Sequence, residues 1–193
     1  EEWRKADREL VGGTTGPGSN AHDFPLLIKE FTGVKIRLVS GYPANSDILL
    51  ALERKEVDIW TAFAATVRPV VQRGAVRPLV RGRVPSPGFE QLPVDETLTT
   101  NPVGKALMAI KAAPLAIGRA VAAPPGTPAA RVALLREAFA KVLRDPELEA
   151  DGRKAQIDFR HIPADEVLKG LTALLQQPPE VQQEMVKYIK FGE

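Results

Sequence analysis

The chain has 193 residues, enough to bury a sizeable core in one domain or two small ones. Its 44% hydrophobic and 26% charged residues are typical of a globular protein, and its net charge of +2 comes from scattered residues, which disfavours nucleic-acid binding. The absence of cysteine excludes disulfides, thiolate metal sites and cysteine nucleophiles. No apolar run approaches the ~20 residues that would span a bilayer, and the start at Glu1 without a signal-peptide pattern indicates a processed or excised piece.

A glycine-rich loop follows the first apolar step of the chain. Residues 1–9 are charged and helix-compatible, and Leu10 and Val11 are expected to end a strand. A helix over 19–32 should follow the loop, with Ser19 or Asn20 as its N-cap, Gly33 as its C-cap and a regular part that begins as late as Asp23 because of Pro25. The loop is expected to hold a carboxylate or phosphate through the following candidate residues: Thr14, Thr15, Gly16, Gly18, Ser19 and Asn20.

Two nucleotide-binding motifs can be tested against this loop. A P-loop is excluded, because Ser19 rather than Lys follows Gly18. Residues 16–21 fit the G-x-G-x-x-A dinucleotide pattern, but the acidic residue expected about 20 positions further on is absent. A phosphate- or dinucleotide-binding α/β enzyme that uses Gly16 to Ala21 therefore remains an alternative, as does a tight turn whose glycines serve geometry alone.

A second loop has the same design. A strand over 34–39 ends in small and polar residues at 40–47, and a short helix opens at 48–52. Asn45, Ser46 or Asp47 can cap that helix, and Asp47 is expected to act as a cap rather than as a ligand contact. Two strand ends that each lead to a loop and a helix N-terminus are typical of the ligand crevice of an open α/β sheet. The candidate contacts facing the first loop are Gly41, Tyr42, Asn45 and Ser46.

The remaining pattern predicts further α/β elements. Strands are expected at 57–62, where Trp60 should pack in the core with the lining of the crevice as the alternative, and at 76–80, 115–123 and 157–162. Helices are expected at 64–72, 102–112, 128–144 with Thr127 as N-cap and Pro128 as first residue, 148–155, 165–175 and 180–188, and a loop at 81–101.

Catalytic residues are not evident. His22 and His161 are the only histidines; His22 could donate a hydrogen bond beside the glycine loop but is expected to be solvated or capping, and His161 has no evident partner. The carboxylates Glu53, Glu56 and Asp58 are expected to form a solvated face, and no spacing suggests a metal site. We therefore expect a binding protein with no enzyme activity, cofactor or metal.

The chain resembles the substrate-binding receptors of tripartite tricarboxylate transporters, the TctC or Bug family of extracytoplasmic solute receptors. The resemblance rests on stretches that occur in family order over nearly the whole chain. They are VGGTTGPGS at 11–19, VSGY at 39–42 with LALERKEVD at 50–58, VAAPPGTP at 121–128 with LREAF at 135–139 and DPE at 145–147, and PPEV at 178–181.

The resemblance implies a two-lobed fold of the type II periplasmic-binding-protein class. Residues 1–100 would form the second ligand-binding lobe, and 101–193 would cross over to complete the first lobe. It further implies a small organic carboxylate as ligand, held mainly by backbone amides and waters, membrane transporter subunits as partners and a periplasmic location.

Two departures from the family pattern matter. Lys55 stands where the family has Gly, and the family's first ligand-contacting loop is missing from this chain. A lobe of which only part is present would leave strand edges uncovered around 115–123 and 157–162, so self-association is a further expectation.

Overall fold

A computed structural model describes residue 3, residues 6–155, residue 157 and residues 159–188. Over these residues the chain is α/β and mostly helical, with eight α-helices and a two-stranded parallel sheet. Much of the charged stretch at 1–9, and residues 156 and 158 beside the predicted fourth helix and last strand, lie outside the described residues. The elements are β1 Leu10–Thr14, α1 Asn20–Thr32, β2 Ile36–Ser40, α2 Asn45–Glu53, α3 Ala64–Gln72, a 3₁₀ turn at Asp95–Leu98, α4 Pro102–Ile117, α5 Ala129–Val142, α6 Pro146–Ala155, α7 Ala164–Leu175 and α8 Pro179–Tyr188.

The sheet pairs β1 with β2 in parallel, from Leu10 opposite Ile36 to Thr14 opposite Ser40. The prediction that the first strand ends at Val11 is wrong, because Gly12 and Gly13 continue it. A Cβ at Gly12 would lie 3.0 Å from a methyl group of Leu38, and one at Gly13 would lie 2.7 Å from a methyl group of Ile48. These two glycines therefore allow close packing on the two sides of β1 and belong to the sheet rather than to the loop.

A third segment joins the other edge of β1 without forming a strand. The N–H groups of Asp58 and Ile59 donate to the Val11 carbonyl at 2.7 and 3.0 Å, and the Gly13 N–H donates to the Ile59 carbonyl at 3.2 Å. Only Gly12 and Ile59 form a bridge, and it is parallel, so the predicted strand at 57–62 reduces to one ladder step. The segment nevertheless ends at the same edge as β1 and β2.

The three other predicted strands are wrong. Pro78 removes a ladder donor from 76–80, where the chain runs without regular structure to a single bridge between Arg81 and Val94. Residues 115–117 instead extend α4, and 118–123 have no regular structure. The described residues between Ile157 and Ile162 likewise form no ladder. These segments are apolar, but among the described residues none of them pairs with a neighbouring strand.

Most predicted helices are confirmed, with changes at their ends. Ser19 caps α1 and Gly33 ends it at φ 75°, but the helix is regular from Asn20 and includes Pro25. The caps of α2 and α5 are Ala44 and Pro128, not the polar residues expected at 45–47 or Thr127. Thr127 instead donates its hydroxyl to the Pro124 carbonyl at 2.7 Å. Neither Ala44 nor Pro128 makes a side-chain hydrogen bond to the helix that it precedes.

The chain divides into two compact units, residues 1–112 with 177–193 and residues 113–176. The first unit has a core of two clusters, one formed by α1, β2, α4 and α8 and the other by the start of α1, by α2 and by Val57. Leu10 packs against the first cluster and Val11 against the second, as alternation along a strand requires. The core therefore holds β1 from both sides and fixes the edge at which it ends.

The second unit contains the end of α4 with α5, α6 and α7. Glycines permit its closest contacts: a Cβ at Gly152 would lie 2.7 Å from the Phe159 ring, and one at Gly170 would lie 3.1 Å from Ile117. Among the described residues, fourteen large hydrophobic side chains are exposed; three belong to the first unit (Leu50, Phe63 and Val186) and eleven to the second. This unit thus leaves much apolar surface uncovered.

Candidate functional site

The edge at which β1 and β2 end is the candidate site. Because the two strands are parallel, the loops at 15–19 and 41–44 both leave this edge, and each leads directly into a helix, α1 and α2. The third segment adds residues 60–63 at the same edge, and these lead into α3. Three helix N-termini therefore follow the ends of two strands and of the segment bridged to β1, and the ends of parallel strands are where open α/β sheets bind ligands.

The glycine loop is held closed by its own hydrogen bonds. Thr14 is fully buried, and its hydroxyl accepts from the Gly16 N–H at 2.9 Å. The Ser19 N–H and hydroxyl both donate to the Gly16 carbonyl, at 3.2 and 2.7 Å, and the Ser19 hydroxyl accepts the His22 N–H. Gly16 and Gly18 take φ values of 127° and 85°, which other residues adopt only with strain. Several of the predicted donors are thus used within the loop.

A buried carboxylate takes the remaining glycine donor. Asp23 is 0% exposed, and its Oδ1 accepts the Gly18 N–H at 3.0 Å. The same oxygen lies 3.0 Å from His22 Nδ1, and Oδ2 lies 2.6 Å from Lys111 Nζ. Lys111 Nζ also lies 3.5 Å from the Gly18 carbonyl. His22 is therefore neither a solvated side chain nor a cap; it belongs to this network.

The second loop also leads to unpaired donors. Asp47 Oδ2 accepts the Ala44 N–H at 3.0 Å, which closes the turn, and the Tyr42 N–H lies 3.4 Å from the Thr14 carbonyl. Since Ala44 has no side-chain acceptor, the N–H groups of Asn45 and Ser46 have no hydrogen-bond partner among the described residues. Asn45 and Ser46, two of the candidate contacts expected from the sequence, therefore present unpaired backbone donors at the start of α2.

Two buried polar atoms at this edge also lack partners in the described part of the chain. They are Asn45 Oδ1, in the first turn of α2, and Trp60 Nε1, directly after the third segment. Trp60 packs against the second core cluster, as predicted, together with Tyr42. Its indole N–H was not anticipated as a free donor, since composition gives no sign of which buried groups remain unpaired.

The predicted site residues divide into two groups. Thr14, Gly16, Gly18 and Ser19 make the internal bonds described above. The others remain accessible in part or fully at the edge of the sheet: Thr15, Asn20, Gly41, Tyr42, Asn45 and Ser46.

Sequence reasoning missed Asp23 and Lys111. A signal for the first was present, because Asp23 lies four residues before buried Leu27 on the same face of α1 and a carboxylate there requires a partner.

An ion pair fixes the third segment beside β1. Arg8 donates two hydrogen bonds to Asp58, at 2.7 and 2.6 Å, and Asp58 Oδ2 accepts the Val11 N–H at 2.9 Å. The hydrogen bonds from Arg8 hold the pKa of the Asp58 carboxyl below its usual value. Asp58 is therefore a structural anchor, and the prediction that it belongs to a merely solvated face is incomplete.

The described residues also bear on three other features: a metal site, a partner for His161 and a membrane-spanning helix. They contain no group of three or more His, Cys, Asp or Glu side chains placed to hold a metal ion. His161, partly buried in the second unit, has no hydrogen-bond partner among them. None of the described helices is both long and apolar enough to cross a membrane.

Comparison with known proteins does not identify the chain. It matches no protein-family model, and no curated protein matches it.

Proposed function

We propose that the chain is part of an extracytoplasmic solute-binding receptor of the TctC or Bug type, which captures a small organic carboxylate for a tripartite transporter. The observation that carries the proposal is the single sheet edge at which three helices begin, with unpaired N–H groups at the start of α2. The type II two-lobed architecture, the lobe boundary near residue 100, the transporter subunits as partners and the periplasmic location belong to the same proposal. No enzyme activity or cofactor is part of it.

The chemistry of the edge favours an anion as ligand. The N-terminus of a helix carries a partial positive charge and N–H donors, so it binds carboxylates without an opposing side-chain charge. Thr15, Tyr42 and Ser46, in the two loops and the first turn of α2, carry hydroxyl groups as well. The two carboxylates nearby already have contacts of their own: Asp23 forms an ion pair with Lys111, and Asp47 accepts the Ala44 N–H.

The same geometry argues against the dinucleotide alternative. A pyrophosphate at residues 16–21 needs the Gly18 N–H as a donor, and that group is bonded to the buried carboxylate of Asp23. We therefore do not propose a nucleotide-dependent enzyme.

Replacement of Asn45 tests the backbone-donor mechanism. Asn45→Pro removes one N–H at the first helical position, where proline is best tolerated, and Ala44 before it is already extended at φ −146° and ψ 167°. Asn45→Ala removes the side chain and keeps the N–H. Loss of a hydrogen bond to a charged group corresponds to about 1.5–3 kcal/mol, or roughly 10- to 150-fold in affinity.

Calorimetric titration with dicarboxylates, tricarboxylates, aromatic acids and NAD is the measurement. We expect the Pro variant to bind the preferred acid at least about tenfold more weakly than the Ala variant. Ala129→Pro, at the first position of α5 in the second unit, is the matched control and should bind as the wild type does. Equal affinities of the two Asn45 variants would refute backbone recognition at α2, and binding of NAD alone would refute the receptor proposal.

A further inference from the structure

The Asp23–Lys111 ion pair holds both backbone polar groups of one residue in the glycine loop. Asp23 Oδ1 accepts the Gly18 N–H at 3.0 Å, and Lys111 Nζ lies 3.5 Å from the Gly18 carbonyl. The two side chains contact each other at 2.6 Å. Asp23 of α1 and Lys111 of α4 thus meet at Gly18, a loop residue with a φ of 85°.

The burial of this pair makes it a strong constraint. Asp23 is fully buried and the Lys111 side chain is 17% exposed, so solvent does little to screen their attraction. His22 contributes a third contact to Asp23, through Nδ1 at 3.0 Å. Removal of one partner of such a pair leaves an uncompensated buried charge, which is more damaging than removal of both.

The position of Gly18 gives the pair its significance for the site. Gly18 precedes Ser19, the N-cap of α1, and Asn20, whose N–H group, like that of Ala21, has no partner among the described residues. The orientation of the Gly18 peptide therefore sets the direction in which the loop enters α1. With its own N–H and carbonyl held inward, the loop can offer outward only the side chains of Thr15 and Asn20 and the first N–H groups of the helix.

We propose that Asp23 and Lys111 are positioning residues, which hold the Gly18 peptide inward and so fix the glycine loop in the conformation that receives the solute carboxylate. The Asp23 carboxylate accepts the hydrogen bond of the Gly18 N–H, and Lys111 provides its counter-charge. The inference rests on the proposed function for its effect on ligand binding, while the control of the Gly18 conformation stands without it.

The first measurement is made without ligand, on the Gly18 backbone amide. In ¹⁵N-labelled protein we expect Asp23→Asn and Lys111→Met each to shift the Gly18 resonance and to speed its hydrogen exchange by about tenfold or more, as for the loss of a hydrogen bond to a charged group. Lys111→Arg keeps the charge and should restore both. Lys105→Met removes an exposed lysine of the same helix and should leave Gly18 unchanged. An unchanged Gly18 amide in both charge-removing variants would overturn the proposal.

The second measurement compares ligand affinity with stability. With the tightest-binding acid of the calorimetric panel, we expect Lys111→Met to weaken binding about tenfold or more, Lys111→Arg to rescue it, and Lys105→Met to bind as the wild type does. If Lys111→Met does not fold, the double variant Asp23→Asn with Lys111→Met removes both charges and is compared with Lys111→Arg. If the affinity stays at the wild-type value in these variants although the Gly18 amide resonance shifts, the positioning role is overturned.

The two proposals fail in different ways. If the wild-type chain binds no carboxylate while the Gly18 amide responds to Lys111→Met and recovers in Lys111→Arg, the receptor function fails and the control of the loop by the ion pair holds. If carboxylates bind and Gly18 does not respond, the receptor function holds and the ion pair has no part in it.

Discussion

Replacement of Asp95 by Asn should change the pH dependence of stability. Asp95 opens the 3₁₀ turn at 95–98 and is 2% exposed, and its N–H donates to the Arg81 carbonyl at 2.9 Å. Burial is the main reason that its pKa is raised to about 6 from 3.8. Its Oδ1 accepts the Glu96 N–H at 2.9 Å, an acceptor that an Asn amide can replace.

The magnitude follows from the raised pKa. One pKa unit corresponds to about 1.4 kcal/mol, so the charged carboxylate lowers the free energy of unfolding by about 3 kcal/mol relative to the protonated one. Because the folded pKa is the higher one, the stabilising contribution of the protonated group is complete below about pH 4, the unfolded value, and is lost as the pH rises to about 6. Above that pH the contribution is constant.

Urea unfolding between pH 4 and 8 measures this effect. Trp3 and Trp60 both pack in the first unit, which contains Asp95, so their fluorescence reports its unfolding. The difference in unfolding free energy between Asp95→Asn and the wild type should rise by about 2 kcal/mol from pH 4 to pH 7. Exposed Asp165→Asn, in the second unit, is the control for the substitution itself. A flat difference for Asp95→Asn would refute the reasoning.

Three further predictions concern packing, an ion pair and apolar surface. Gly104→Ala should destabilise the first unit by up to about 2 kcal/mol, because the new Cβ would lie 2.6 Å from the ring of Phe31, against which Tyr188 packs edge-on. The cost of this overpacking exceeds the ~1 kcal/mol gained in helix propensity. An unfolding midpoint above that of the wild type would contradict this. Asp58→Asn should lower stability at neutral pH, with the loss disappearing as the pH falls through the depressed pKa of Asp58; a loss that persists at acid pH would contradict it. The exposed apolar residues of α5 should make the apparent mass by light scattering rise with concentration, and Leu135→Lys should reduce that rise; a mass independent of concentration would remove the expectation of self-association.

The sequence allowed the helices to be predicted better than the strands. Capping residues and regular spacing locate a helix within its own residues, as Ser19 and Gly33 did for α1. A strand depends on a neighbour that its sequence does not contain, and the apolar segments around 76–80 and 115–123 found none. The apolar spacing that suggested a strand from Leu115 is also compatible with a helix, and α4 continued through Pro114 to Ile117.

The location of the candidate site could be predicted, but the use of its donors could not. Glycine at positive φ and a capping Ser are local signals, and both are present at Gly16, Gly18 and Ser19. Which N–H groups stay unpaired depends on contacts between distant residues, and the one between Asp23 and Lys111 spans 88 positions. Local pattern therefore placed donors in both loops; Gly16, Gly18 and Ser19 use theirs within the first loop, whereas Asn45 and Ser46 retain theirs.

The most direct test of the account is an NMR titration of this chain with dicarboxylates, tricarboxylates, aromatic acids and NAD, following the backbone amides of 13–20 and 41–47. We expect one class of carboxylate to shift the amides of Asn45 and Ser46 together with those near Asn20, whereas the inward-held Gly18 amide should move least and NAD should have no effect. Shifts caused by NAD at Gly16 and Gly18 alone, or no shift at Asn45 and Ser46 with any acid at saturating concentration, would contradict it.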